Sequence, residues 1–298
     1  NNHIKNALVA AAKRQSLISL NYHNGVRAIH NDEEQVLITL EDGTPVISKL
    51  LVAADGANSW VRQQLNLGIT FSDYDHHALV ATIQTSEPHG HCARQVFLPE
   101  GPLALLPLYE PNLCSIVWSS KPERTNKLMA LSDEEFSKAI TGASDSTLGP
   151  ISIKSERLSV PLTMRYANQW LDKRVILMGD AAHTIHPLAG LGMNLGLLDA
   201  ASLAQVLDSP EWLISNELGS KLRHYERWRK AEAQTFIAAM AALKNLFDGN
   251  NPLKKLIRGV GLAVTDKAPF VKDKIIQQAM GLEGELPDLA KSVDPLEA

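Results

Sequence analysis

Two short, continuously apolar runs organise the hydrophobic pattern of this chain, at residues 51–54 and 175–178. Neither alternates with polar positions, which is the pattern of a strand buried on both faces in a parallel sheet. Each ends on an acidic residue beside glycine: Asp55-Gly56 after the first, Gly179-Asp180 after the second. Beyond Asp55, Ser59 is placed to cap a short helix over 60–65. Beyond Asp180 a loop carries His183, His186 and Pro187 and reaches Gly190 and Gly192. From about Met193 the apolar period becomes helical, and Met193, Leu197, Ala200, Ala201 and Ala204 are predicted to fall on one face.

The remaining pattern fills in around these runs. Residues 4–14 have helical spacing, and residues 16–30 contain strand-like stretches. Val36, Ile38 and Leu40 alternate ahead of Asp42-Gly43, which predicts a hairpin. Strand-like runs recur at 78–84, 93–98, 103–108, 113–118 and 151–161, broken by Pro, Gly and Asn. Strands in succession without helices between them predict an antiparallel sheet inserted between the two acidic-ended strands. One helix interrupts them, where Ser132 and Glu135 form a capping box ahead of Phe136 and Ile140. Residues 216–247 predict a long helix, broken at 249–252. Residues 251–280 carry six Lys/Arg against two Asp, with Leu253, Leu256, Ile257 and Val260 at helical spacing; the last 18 residues are acidic and expected to fray.

Composition narrows the function classes only a little. The chain has 298 residues, 45% hydrophobic and 21% charged, with a formal net charge of −4. That length can bury a sizeable core, and the absence of a basic field argues against nucleic acid as a partner. No apolar run approaches the roughly 20 residues that cross a bilayer. The amino terminus has no signal-peptide pattern, which favours the cytoplasm. Cys92 and Cys114 form no CxxC pair and read as small buried side chains rather than a disulfide or zinc site. The opening residues NNHIKNALVAAAKRQ are already helical and lack an initiator methionine, which reads as the middle of a longer protein.

Four constellations carry candidate chemistry. Asp180 at a strand's carboxyl end suits the hydroxyls of a ribose diol, although a lone Gly-Asp more often only shapes a turn. The segment 187–194 offers glycines for close backbone approach and a helix N-terminus that favours an anion; a loop using glycine only for its turns is the competing reading. Gly190-x-Gly192 and Gly196 do not form a dinucleotide fingerprint, because Gly190 lies eleven residues beyond Gly179 instead of directly after the strand. Asp180, His183 and His186 have a spacing that a metallohydrolase could use, but Pro187 disfavours a shared helical face for the histidines. Finally, Arg62 sits in the first turn of the short helix, where it could reach a phosphate, pair with Asp55, or simply lie on the surface. His76, His77, His89 and His91 have no assignable role.

Together, ADGANSWVR and RVILMGDAAHTIHPLAGLGMNLGLLDA resemble two motifs of the FAD-dependent aromatic hydroxylases of the p-hydroxybenzoate hydroxylase class. The run NPLKKLIRGVGLAVTDKAPFVKDKIIQQAMGL is similar to the ubiquinone-biosynthesis members, most closely the 2-octaprenylphenol type. The resemblance implies an α/β fold with α+β elements. Residues 1–68 and 171–215 would be parts of an FAD-binding domain, 69–170 an antiparallel-sheet substrate domain, and 216–298 a helical region. It implies FAD as cofactor and NAD(P)H as transient donor, in the hydroxylation of a polyprenylphenol ring by O₂. By the same resemblance Asp55, Gly56 and Arg62 lie by the FAD pyrophosphate, and Gly179 and Asp180 by the ribitol or ribose. Pro187 with Gly190, Leu191, Gly192, Met193 and Asn194 would line the flavin ring. No residue that activates the phenol is identified. The implied partners are the other ubiquinone-biosynthesis proteins, a second copy of the chain, and the inner-membrane surface, which the basic segment 251–280 could touch. A non-catalytic assembly role is the alternative. The family also opens with a GxGxxG unit, and residues 1–50 contain none, so the chain as given is expected to hold FAD weakly and to be inactive by itself.

Overall fold

The two apolar runs lie side by side as parallel strands. The computed structural model describes residues 2–184, 192–213, 217–247 and 284–291. The chain begins with α1 (Asn2–Lys13), β1 (Val26–Asn31), β2 (Val36–Leu40), β3 (Pro45–Ser48), β4 (Leu51–Ala53) and α2 (Trp60–Gln64). The sheet strands follow as β5 (Ile69–Thr85), β6 (Arg94–Leu98), β7 (Gly101–Pro107) and β8 (Leu113–Ser120). Then come α3 (Pro122–Ala130), α4 (Asp133–Ala143), β9 (Ile151–Ile153), β10 (Leu158–Ala167), β11 (Leu171–Asp172) and β12 (Val175–Leu177). Last are β13 (His183–Thr184), α5 (Gly192–Val206) and α6 (Leu218–Phe247).

β4 and β12 pair in parallel, Leu51 with Val175, Val52 with Ile176 and Ala53 with Leu177, in a three-stranded sheet of order β11-β12-β4. Val175, Ile176 and Leu177 are fully buried, which stabilises the fold by about 1.5–3 kcal/mol for each side chain. They join Val61, Trp170, Leu203, Leu222, Tyr225 and Trp228 in a core shared with α2, α5 and α6. The expected hairpin is present as β2–β3, and β1 extends it to three antiparallel strands.

A second sheet has the order β13-β10-β5-β8-β7-β6, with β9 pairing the far end of β5. Leu79, Ala81, Ile83, Leu103, Leu105, Ile116 and Trp118 form one face, buried against Leu128 of α3 and Phe136 and Ile140 of α4. The capping box of α4 forms as expected: Ser132 Oγ accepts from Glu135 N, and Glu135 accepts from Ser132 N. The opposite face runs through Leu158, Val80, Val117 and Ala104 in register across four strands. Leu158, Val160, Phe97 and Leu106 are exposed there.

Several expectations need correcting. β5 starts at Ile69, nine residues before the predicted strand, because Thr70, Ser72, Asp73, Asp75, His76 and His77 hide its period. The predicted strand over 151–161 is two strands, broken at 154–157. Cys114 is buried as expected, whereas Cys92 is exposed. α3 was not anticipated, since only Thr125 and Leu128 are buried in it. The buried face of α5 is Leu195, Asp199, Ser202, Leu203 and Val206, whereas Met193, Leu197, Ala200 and Ala204 of the predicted face are exposed. The helix is apolar almost all round, so a buried carboxylate sets its rotation. Residues 284–291, expected to fray, pack on the helices: Trp228 Nε1 donates to Glu285 O at 2.9 Å, and Asp288 N to Gln205 Oε1 at 2.7 Å. The expected break at 249–252 and the basic segment 251–280 lie outside the described residues.

Candidate functional site

Because β4 and β12 are parallel neighbours, both acidic turns emerge at the same edge of one sheet. After β4, Asp55 Oδ2 accepts from Val61 N at 3.1 Å and Ser59 Oγ from Arg62 N at 3.0 Å, so both cap α2. Gly56 has φ +85°, and nothing lies within 4 Å of where a Cβ would point, so the backbone is open to an approaching ligand. Arg62 is not on the surface. It is 5% exposed, with Nη1 donating to Ala181 O at 2.7 Å and Nη2 to Ala57 O at 2.9 Å. Arg165 donates to the same Ala57 carbonyl at 3.2 Å and to Asn58 Oδ1. Burial, followed by the like charge of Arg165, lowers the proton affinity of Arg62, while Asp55 opposes the shift. One guanidinium therefore fastens the turn after β4 to the turn after β12.

After β12 the chain makes a 3-10 turn, Gly179–Ala181. Gly179 has φ +57°, and Gly196 of α5 lies against it: a methyl built on Gly196 would sit 3.4 Å from Gly179 Cα. Asp180 is exposed, and no described residue hydrogen-bonds its carboxylate. α5 begins at Gly192, with Met193 and Asn194 exposed in its first turn, where backbone N–H groups have no acceptor within the helix. Pro187, Gly190 and Leu191 lie outside the described residues, as does His186.

Behind the turn sits a polar cluster that the sequence pattern did not reveal. Asp199 is fully buried; its Oδ2 accepts from Gly179 N at 2.9 Å and His183 Nε2 at 2.7 Å, and its Oδ1 from Arg229 Nε at 2.7 Å. Burial alone would raise the carboxyl's pKa. The hydrogen bond and charge of His183, with those of Arg229, outweigh burial and hold it below the usual value. His183 stacks on Trp170 with ring centroids 5.0 Å apart. Tyr225 is also buried, and its hydroxyl has no partner among the described residues; burial, then the negative charge of Asp199, pushes its pKa well up. The available signal was Asp199 itself, a lone carboxylate one turn from both Leu195 and Leu203.

This arrangement does not suit the metal reading. Asp180 is exposed, whereas His183 is buried and its Nε2 is held by Asp199. Among the described residues no three His, Cys, Asp or Glu side chains gather to hold an ion. His89, left without a role by its sequence, is a buried clip: Nε2 donates to Glu110 O and Nδ1 accepts from His91 N. The site edge offers the exposed Asp180 carboxylate, unpartnered among the described residues, for hydroxyl groups and a helix N-terminus for partial negative charge.

Comparison with known proteins agrees with this geometry. The FAD binding domain family matches residues 1–239. The ubiquinone hydroxylase UbiL of Rhodospirillum rubrum is 35% identical over 270 residues, covering 89% of this chain and 63% of that protein. The mitochondrial ubiquinone biosynthesis monooxygenase COQ6 of Xenopus tropicalis is 35% identical over 277 residues, covering 81% and 59%. The 3-demethoxyubiquinol 3-hydroxylase of Escherichia coli is 31% identical over 280 residues, covering 94% and 71%. The chain thus spans about three fifths of the first two relatives. Among solved structures, p-nitrophenol 4-monooxygenase PnpA from Pseudomonas putida matches with a TM-score of 0.76 at 21% identity, covering 95% of this chain and 72% of that one. PqsL, a probable FAD-dependent monooxygenase from Pseudomonas aeruginosa, matches at 0.72 and 22% identity, covering 86% and 71%. These structures establish the fold alone, the mixed α/β arrangement with an antiparallel sheet.

Proposed function

The chain belongs to the FAD binding domain family, and from that premise we propose that the full protein hydroxylates the aromatic ring of a polyprenylphenol precursor of ubiquinone. The observation that carries this reading is the pairing of β4 with β12, which sets Asp55-Gly56 and Gly179-Asp180 side by side. Their donor chemistry fits FAD. Asp180 accepts hydrogen bonds from ribitol or ribose hydroxyls, and Asp55 and Gly56 border the pyrophosphate. The start of α5 at Gly192, Met193 and Asn194 lines the ring and favours its reduced, anionic form. Arg62 serves by holding the two turns together, since Nη1 and Nη2 both donate to backbone carbonyls.

Bound FAD supplies the oxygen-transfer chemistry, with NAD(P)H as the electron source and O₂ as the oxygen source. The chain's own part is to bind, orient and exclude water. The open sheet face bearing Val80, Val117, Leu158 and Val160 is the apolar wall of the phenol pocket. A polyprenyl substrate calls for contact with the membrane surface and with neighbouring ubiquinone-biosynthesis enzymes. Among the described residues no helix is long and apolar enough to cross a membrane. Since residues 1–50 hold no GxGxxG for the ADP half of the cofactor, residues 1–298 alone are proposed to retain FAD poorly.

The test is direct. Full-length protein is purified, its flavin measured from the visible spectrum, and NAD(P)H-dependent hydroxylation of a short-chain polyprenylphenol followed by mass spectrometry. Bound flavin and a product heavier by one oxygen, both reduced by Asp180→Asn, support the reading. Bound flavin without hydroxylation supports an assembly role instead, and no flavin at all sinks the reading.

A further inference from the structure

Asp199 is fully buried behind the candidate site, yet it holds the backbone that presents Asp180. Its three donors come from three separate elements: Gly179 N from the turn, His183 Nε2 from β13 and Arg229 Nε from α6. Asp199 and Arg229 are 0% and 2% exposed. A buried ion pair of this kind is weak evidence for stability, because well-packed apolar side chains of similar volume commonly do as well. What an apolar residue could not do is accept the amide of Gly179, the residue immediately before Asp180.

Gly179 is fixed from two sides. Its φ of +57° permits the sharp exit from β12, Asp199 takes its N–H, and Gly196 closes on its Cα from the same helix that carries Asp199. The direction of the Asp180 carboxylate is thereby referred, through one carboxylate, to the frame of α5 and α6. We propose that Asp199 is a positioning residue of the cofactor site, acting on FAD only through the Gly179–Asp180 turn, with Arg229 and His183 fixing its own orientation. This inference rests on the flavin reading above.

A double-mutant cycle on the full-length apoprotein tests it, with FAD affinity read by fluorescence titration and folded fraction by circular dichroism. Asp180→Asn and Asp199→Asn are each expected to weaken FAD binding about tenfold in the folded protein, and the double variant to bind no more weakly than the worse single one. Factors that multiply in the double variant overturn the proposal. So does an Asp199→Asn protein that melts at lower temperature but, where folded, binds FAD within about twofold of wild type. If Asp199→Asn does not fold, Arg229→Lys replaces it in the same cycle, since it keeps the positive charge while releasing the fixed Nε contact. Wild-type protein that fails to bind FAD, by contrast, removes the flavin reading and this inference with it.

Discussion

Arg62 Nη1 lies 2.7 Å from the carbonyl oxygen of Ala181, a bond between residues 119 positions apart that ties the two acidic turns into one unit. Arg62→Met leaves that carbonyl, and half of the support of Ala57, unpaired. The expected loss is about 2–4 kcal/mol, measured by urea denaturation. Arg62→Lys should not restore it fully, because one ammonium cannot reproduce the fork. A loss below about 0.5 kcal/mol for Arg62→Met would mean the turns are held by other means.

The turn at Gly179 sets a conformational demand separate from space. A methyl there would lie 3.8 Å from Gly196 Cα, an ordinary contact, but φ is +57°. Gly179→Ala should therefore cost about 1–2 kcal/mol from backbone strain alone. Gly196→Ala, with the gain in helix propensity set against a closer contact, should change stability by less than about 1 kcal/mol. The reverse order in thermal melts would show that crowding, and not φ, controls this contact.

Acid should uncover Asp199. Its pKa is lower in the fold than in the unfolded chain, so its contribution is complete above the unfolded value of about 4 and is lost as pH falls through the folded value. The stability gap between wild type and Asp199→Asn should therefore shrink below about pH 4. A gap that persists undiminished to about pH 2.5, well below the unfolded value, would contradict the lowered pKa.

Tyr225 should respond at the opposite end of the scale. Its pKa is raised by burial and by Asp199, so stability is insensitive to its titration below about pH 10 and falls above it, where the unfolded phenol ionises first. Tyr225→Phe should flatten that alkaline loss. At neutral pH it should be neutral or stabilising by about 1 kcal/mol, since the hydroxyl it removes has no described partner. A clear destabilisation at neutral pH would reveal a partner for the hydroxyl.

On the open sheet face, Leu158 is 59% exposed. Leu158→Glu should shift stability by no more than about 0.5 kcal/mol while raising the KM of the full-length protein for an apolar phenol about tenfold. Unchanged KM would place the substrate elsewhere.

The legible parts of the sequence were those where local chemistry alone decides the outcome. The capping box at Ser132 and Glu135, the Asp42-Gly43 hairpin and the apolar runs of β4 and β12 all depend on neighbours in the chain. Parts that depend on distant partners were obscured. β5 carries polar residues through its first half because it pairs with β10 there and lies largely exposed. α5 turns its Leu197 outward because Asp199 must meet His183 and Arg229. Asp180 stood out in the sequence, whereas Asp199, which holds its turn, looked like one polar residue in an apolar helix.

The two hydrophobic cores have no side chain in common among the described residues. The sheet buries its inner face on α3 and α4, and on the opposite face Leu158, Val80, Val117 and Ala104 contribute to neither core. If that face is the substrate wall proposed above, selection acting on these positions retunes substrate choice without first negotiating with the folding of either half. Specificity and foldability would then be written on opposite sides of the same strands.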